Sequence, residues 1–301
     1  MTGTRTQPAL AVVLLTGYSA GQGHRPDEIA RAIDCVHAQN LPGDAPVEIV
    51  LVVNGGTAPA SLPADVKTIE LPDNVGIPAG RNIGWRATGG DLVVFLDDDG
   101  WVPDPDTFAL AAGRFAADPR LGILAFRIAD PDTGATARRH VPRLRAADPL
   151  RSGEVTTFLG GAWMIRRTVL EATGGLPDEF FFAHEETDLA WRALDAGWRI
   201  RYDADCVLLH PTTSPARHAL YYRTNARNRV WLAKRNLPVP VGVAYVAVWL
   251  ALTLARVHDP RALRAWFGGL VEGIRRSGGR RQVMRWRTVW RMARLGRPPV
   301  I

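Results

Sequence analysis

Three consecutive carboxylates, Asp97-Asp98-Asp99, follow the apolar run Val93-Val94-Phe95-Leu96. Adjacent acids repel one another and gain nothing from packing, so a divalent cation is the simplest species that would stabilise them. A hard cation, Mg²⁺ or Mn²⁺, would bridge carboxylate oxygens to a diphosphate and neutralise it as it leaves. A solvated acidic turn is the competing reading. A second acidic group, Glu185-Glu186-Thr187-Asp188, falls at a predicted helix start. The helix dipole favours acids there, but it accounts for one or two of them more readily than for three. Gly160 and Gly161 would allow a ligand to approach the backbone closely, or mark a bulge. His210 ends the run Val207-Leu208-Leu209 and precedes Pro211, where a lone histidine is ordinarily a structural hydrogen-bonder.

These residues need a scaffold that brings strand ends together. Short β-branched or leucine-rich runs predict strands at Leu10–Thr16, Val47–Asn54, Val66–Leu71, Asp91–Leu96 and Leu121–Ile128. Helices are predicted at Arg25–Ala38, Pro78–Thr88 and Pro105–Ala117, each with a proline suited to a first turn. Such alternation implies an α/β fold with a mainly parallel sheet covered on both faces, and ligands at the carboxyl ends of its strands. Residues 129–158 have no sustained period and read as a loop or hairpin insertion near the site. The apolar pattern resumes at Phe158–Ile165, with helices near Arg167–Thr173 and Glu185–Ala196 and a final pair of strands, Arg199–Tyr202 and Val207–His210. Trp163, Trp191 and Trp198 read as core, whereas Trp101 beside the triplet could be core or sugar platform.

Composition is that of a folded enzyme: 301 residues, 47% hydrophobic and 22% charged. The net charge of +7 is unevenly placed, since residues 256–301 hold twelve Arg against Asp259 and Glu272, a local balance of +10 that leaves −3 for the remainder. A nucleic-acid reader spreads basic groups over its reading face, so this pattern argues against nucleic acid and for anionic membrane headgroups. Cys35 and Cys206 lie far apart without metal-site spacing, which fits a reducing compartment. The N-terminal residues read as the first strand of a cytoplasmic domain rather than as a signal peptide. Asn236–Ala255 is uncharged throughout, but Pro238 and Pro240 leave sixteen helical residues, Pro240–Ala255. These extend about 24 Å against a hydrocarbon core of about 30 Å, so the segment is expected to dip into or lie on a membrane rather than span it. Val283, Trp286, Trp290 and Ala293 recur at helical spacing among arginines, the pattern of a surface-seeking helix. The division expected is a catalytic domain over residues 1–235 and apolar and basic helices over 236–301, peripheral or monotopic on the cytoplasmic face, with a homodimer interface as the other use of the apolar helix.

Over roughly residues 8–235 the chain resembles the family 2 glycosyltransferases, particularly the rhamnosyltransferase-like inverting enzymes. The resemblance rests on Thr16-Gly17, Val52-Val53-Asn54, the run Asn74-Val75-Gly76-Ile77-Pro78-Ala79-Gly80-Arg81-Asn82, Gly90-Asp91 and the acidic triplet, followed in order by Gly160-Gly161-Ala162, Gly174-Gly175-Leu176 and Glu185-Glu186-Thr187-Asp188-Leu189. It implies the GT-A fold of nucleotide-diphospho-sugar transferases, with a nucleotide-sugar donor and a divalent cation. It implies donor contacts at Thr16, Gly17, Asn54 (where the family commonly has Asp), Asn74, Gly76, Arg81, Asn82, Asp97, Asp98, Gly160 and Gly161. Metal ligands would be Asp97, Asp99 and His210. The general base aligns with Glu186, with Glu185 and Asp188 as rivals. The implied reaction is a single inverting displacement onto a hydroxyl, and the tail suggests a lipid-linked or cell-envelope glycan acceptor. Asp97-x-Asp99-Gly100 also resembles the nucleophile motif of haloacid-dehalogenase-type phosphatases, although that motif belongs on a first strand and Trp101 stands where Thr is usual. A catalytically silent membrane scaffold of the same fold is a third reading.

Overall fold

The computed structural model describes residues 9–17, 25–41, 47–144, 148–211 and 219–301. Its centre is an eight-stranded sheet. The strands are β1 (Leu10–Thr16), β2 (Glu48–Asn54), β3 (Val66–Leu71), β4 (Leu92–Asp97), β5 (Leu121–Ala129), β6 (Gly153–Glu154), β7 (Ala162–Arg166) and β8 (Arg199–Leu209), in the spatial order β3-β2-β1-β4-β7-β5-β8-β6. Strands β3, β2, β1 and β4 pair in parallel; β7 runs antiparallel between β4 and β5, β8 is parallel to β5, and the short β6 is antiparallel to β8. The sheet is thus mainly parallel, and its carboxyl ends gather the tips of β1, β2 and β4.

Both faces are covered, as the continuous apolar runs of the strands require. On one face Val12, Leu14, Val94 and Leu96 pack with Ile29 and Ile33 of α1 (Arg25–His37) and Phe108 and Phe115 of α3 (Thr107–Ala117). On the other, Val13, Val93 and Phe95 pack with Trp85 of α2 (Ile77–Arg86), Val169 and Leu170 of α4 (Arg167–Thr173), and Leu189 and Trp191 of α5 (Glu185–Asp195). Phe95 and Trp163 stack in this second core, 4.2 Å between ring centroids. The triplet strand is fourth along the chain, not first. The two expected strands after α5 are one: β8 runs unbroken from Arg199 to Leu209, with an irregularity in its register against β5 that takes up Ala204–Cys206. Extra residues of this kind bend a strand without ending it.

The remaining helices are α6 (Ala219–Asn236), α7 (Val239–Arg256), α8 (Pro260–Arg275) and α9 (Trp286–Arg294). Helix α7 starts one residue before Pro240, which sits in the first turn at no hydrogen-bond cost. Its eighteen residues make it the one described helix long and apolar enough to cross a membrane, and only 22% of it is buried. Helices α6 and α8 pack backbone to backbone, because a Cβ on Gly269 would collide with the Arg223 carbonyl and one on Gly273 would sit 2.8 Å from that of Arg227. Tyr245, Met284 and Met292 join the same core as Trp163 and Trp191. Helix α9 is tied to α5 through Asp195, which accepts from Arg285 and, at 2.6 Å, from Thr288.

Candidate active site

Strand β4 carries its buried apolar residues up to Leu96 and then releases Asp97 at the sheet's carboxyl end, where the Asp97 N–H donates to the Gly161 carbonyl (3.0 Å). Asp99 follows in the turn, and His210, just beyond β8, comes to it from across the sheet, with 3.0 Å between Nε2 and Asp99 Oδ1. The other ring nitrogen, Nδ1, is 2.8 Å from the Pro211 carbonyl. One ligand atom each from Asp97, Asp99 and His210 lies within 4.8 Å of the others. Asp98 is buried and lies outside that cluster. Burial raises the Asp97 carboxyl to about 6 despite the opposing charge of Arg81. The hydrogen bond to Asp99, outweighing burial, lifts His210 to about 9. Two carboxylates held close to one another and to an imidazole form a preassembled donor set for a divalent cation.

Arg81, on α2, links this cluster to the second acidic group. Its Nη2 donates to Asp97 Oδ1 and to the Gly160 carbonyl, each at 2.8 Å, and its Nη1 donates to Glu186 Oε1 at 3.1 Å. Expected as a donor contact, the guanidinium is buried and its hydrogen bonds go to protein. It instead fixes two carboxylates from distant parts of the chain in one place. Gly160 leaves room for this contact, because a Cβ there would overlap Glu186 Oε1 and come within 3.0 Å of Arg81 Nη1, displacing the carboxylate. Gly161 fits between Ile128 and Leu208.

The three acids of Glu185–Asp188 have separate fates. Glu186 keeps 15% of its side chain exposed beside Arg81. Glu185 is buried; burial, reinforced by Glu186, raises its carboxyl to about 8, and its Oε2 has no hydrogen-bond partner. Asp188 is fully buried and accepts from Arg192 Nε (2.8 Å), Arg235 Nε (2.9 Å) and Asn236 Nδ2 (2.7 Å). It joins α5 to α6 with no oxygen open to a substrate, which corrects its candidacy as a base. The loop before α5 is strained: Phe181, Ala183 and His184 all have φ between 61° and 73°. Asn228 of α6, wholly buried, holds it by donating to the carbonyls of Phe180 (3.0 Å), Phe182 (2.7 Å) and Ala183 (2.8 Å). Left-handed non-glycine residues cost free energy and persist only where surroundings fix them. The sequence reading missed Asn228, whose only signal is an amide in an otherwise basic helix.

The expected donor contacts at the β2 end are used internally. Asn54 Nδ2 donates to Asn74 Oδ1 (3.1 Å) and to the Gly76 carbonyl (3.2 Å), and its Oδ1 accepts from the Val75 N–H (2.8 Å). Gly76, at φ 87°, must be glycine because a Cβ would lie 2.6 Å from the Phe181 carbonyl oxygen. Asn82 is also saturated, donating to the Leu176 carbonyl and Asp178 while accepting from Trp85 and the Leu176 N–H. Its side chain is a strut rather than a donor contact. Thr16 is buried at the end of β1, and Gly17 is exposed beside residues 18–24, which lie outside the described part. Trp163 and Trp191 are core, Trp198 packs against it, and the Trp101 ring lies under Arg31 at 4.6 Å.

Comparison with known proteins bears on the fold and the family. A mannosyltransferase from Pyrobaculum calidifontis, solved with GDP-Man and Mn²⁺, superposes with a TM-score of 0.56 at 20% identity, covering 89% of this chain and 81% of that one. Residues 1–349 of S. aureus TarS give a TM-score of 0.61 at 16% identity, covering 89% and 80%. The fold is the GT-A fold of glycosyltransferases. In sequence, the pre-mycofactocin glycosyltransferase of Mycobacterium tuberculosis is 25% identical over 232 residues, 69% of this chain and 48% of that protein. The O-antigen biosynthesis protein RfbC of Myxococcus xanthus is 25% identical over 71% of this chain and 19% of its own length. The chain thus spans about half, or less, of the curated relatives it matches. The family model for glycosyl transferase family 2 matches residues 24–174, a stretch that holds the triplet, Arg81 and the two glycines, and with it the chain is established as a member of that family.

Proposed function

We propose that this glycosyltransferase moves a sugar from a nucleotide-sugar donor to a hydroxyl acceptor with inversion, assisted by a divalent cation at Asp97, Asp99 and His210. One observation carries the reading: Arg81 ties Asp97, at the metal cluster, to Glu186, at the helix start, by hydrogen bonds of 2.8 and 3.1 Å. That link supports a reading in which the leaving group is held at the metal cluster and the acceptor hydroxyl, activated by Glu186, attacks from the opposite face of the sugar. The cation, when bound, supplies positive charge to the departing nucleoside diphosphate. Mg²⁺ and Mn²⁺ both suit two carboxylate oxygens and an imidazole nitrogen. Glu186 accepts the hydroxyl proton as the acceptor attacks the anomeric carbon, while Arg81 holds the carboxylate in position and Gly160 leaves room for it. Glu185, protonated at neutral pH, is not the base.

The acceptor side is read from the helices. The apolar face of α7 and the exposed Trp286 and Trp290 of α9, flanked by arginines, suit docking on anionic lipid at the cytoplasmic face, with a lipid-linked or envelope glycan as acceptor. Residues 236–301 then act as the docking unit for the catalytic part, residues 1–235.

The test is Glu186→Gln, assayed as release of nucleoside diphosphate from a panel of nucleotide sugars. Loss of about 10²–10⁴-fold in kcat with donor affinity kept is expected of a general base. Full turnover in the variant contradicts the assignment. Failure of the wild-type chain to bind any nucleotide favours a silent scaffold.

A further inference from the structure

A cavity of about 70 Å³ separates the start of α5 from the C-terminal helices. Its lining includes Thr156, Thr157 and Thr187, the two arginines Arg229 and Arg297, and Tyr245 and Trp249 of α7. Arg229 is held in place: Nε donates to Asn225 (2.9 Å), Nη1 to the Tyr245 hydroxyl (2.9 Å), and its guanidinium carbon lies 3.3 Å from the Trp249 ring centroid. The Arg297 guanidinium makes no hydrogen bond or ion pair among the described residues, and no carboxylate there is within ion-pair distance of either arginine. Burial holds both below the usual guanidinium range, and the charge of Arg229 lowers Arg297 further. Two more nitrogens in the lining, His184 Nε2 and Trp249 Nε1, are buried without partners.

Two half-buried cations and an indole N–H offer donors to this cavity, and no acidic side chain lines it. Unpaired charge is costly to bury, and guanidinium groups match the oxygens of phosphate. Thr187, in the lining, is the residue after Glu186 in α5, and its hydroxyl lies 3.3 Å from that of Thr157. While Tyr245 and Trp249 face inward, Val239 and Val243 of the same helix are 68% and 65% exposed. One helix therefore lines a cationic cavity and presents an apolar face outside it.

We propose that this cavity binds a phosphoryl oxyanion borne by the acceptor, an amphiphile whose apolar part follows α7. The proposal rests on the glycosyltransferase reading, and its test is built so that either can fail alone. Calorimetric titration of the full chain with inorganic pyrophosphate and with geranyl diphosphate is done in an Asp97→Asn background, which disables the donor side. Arg297→Gln should weaken both ligands at least tenfold and Arg297→Lys should recover part of the loss, with the unfolding temperature of Arg297→Gln no lower than that of its parent, because the guanidinium has no hydrogen-bond partner among the described residues and its burial is a cost. Geranyl diphosphate should bind more tightly than pyrophosphate. Equal binding by Arg297→Gln and its parent, or no binding by either, overturns the site. Equal or weaker binding of geranyl diphosphate overturns its assignment to the acceptor and leaves a free anion as the ligand. Nucleotide-sugar binding by the chain with Asp97 intact is measured in parallel, so a failed donor reading shows as lost nucleotide binding with the Arg297 effect still present.

Discussion

Replacing Asp188 with asparagine removes the negative charge from a fully buried site where Arg192 and Arg235 both donate to the same carboxylate. Losing one partner of a buried ion pair costs about 3–5 kcal/mol, because the other charge stays buried and uncompensated. The lower end applies here, since Arg192 also bonds the carbonyls of Thr173 and Gly175, and Arg235 that of Gly278. At about 2 °C per kcal/mol for a chain of this size, Tm should fall by about 6 °C. Burial alone would raise the Asp188 carboxyl, but Arg192, Arg235 and Asn236 together bring it below the ordinary range. A depressed carboxyl contributes stability that is complete above the unfolded value and lost as pH falls through the folded one. The gap between wild type and Asp188→Asn should therefore be constant from about pH 5 to 8 and close below about pH 4. Thermal unfolding across that range, with turnover measured well below both midpoints, is the assay. Near-normal turnover is expected in the folded variant, in contrast to Glu186→Gln. An unchanged Tm with turnover reduced by about 10²-fold or more would refute this reasoning and make Asp188 the base.

Glu185→Gln tests the protonated carboxyl: the native wild type retains a proton that the unfolded chain loses between about pH 4.3 and about 8, so wild-type stability falls as pH rises through that window. The Tm advantage of the glutamine variant should widen from pH 5 to 8 and then level off, and parallel curves from pH 5 to 9 would contradict the assignment. Flotation with anionic vesicles tests the tail, in which Trp286 and Trp290 are 51% and 62% exposed. The full chain should float at low salt and less at high salt, and less again as the Trp286→Ser, Trp290→Ser double variant. A chain that stays at the bottom at low salt, or that pairs with a second copy through α7, contradicts membrane docking.

Much of the scaffold was legible in the sequence. The bounds of β1 match its apolar run, since a buried parallel strand reads as continuous Val and Leu, and those of the mostly exposed edge strand β3 match through Val66, Thr68, Ile69 and Leu71 between turn residues. Helix α8 had readable signals in the Asp259 cap, Pro260 and the spacing of Trp266, Leu270 and Ile274, whereas α6 mixes arginine and asparagine with apolar residues and shows little period. The site was legible as a set of acids but not as a geometry. Runs such as Asp97–Asp99 and Glu185–Asp188 announce themselves by charge, yet which acid turns inward depends on partners 47 and 48 positions away, as Arg235 and Asn236 show for Asp188. Likewise, Asn54 and Asn82 read as ligand contacts because amides serve either role, and only the fold reveals that Val75, Gly76, Leu176 and Asp178 consume them.

Metal-dependent donor binding is the most direct test of the account. Calorimetric titration of nucleoside diphosphates and nucleotide sugars into the full chain, with Mn²⁺ or with EDTA, should give tight binding for at least one nucleotide only when metal is present. Asp99→Asn should abolish that metal-dependent increment with at most a modest loss in Tm from its pair with His210, because Asp99 is partly exposed in the turn after β4. Equal affinity in Mn²⁺ and EDTA, or an undiminished increment in Asp99→Asn, would contradict a cation held by Asp97, Asp99 and His210.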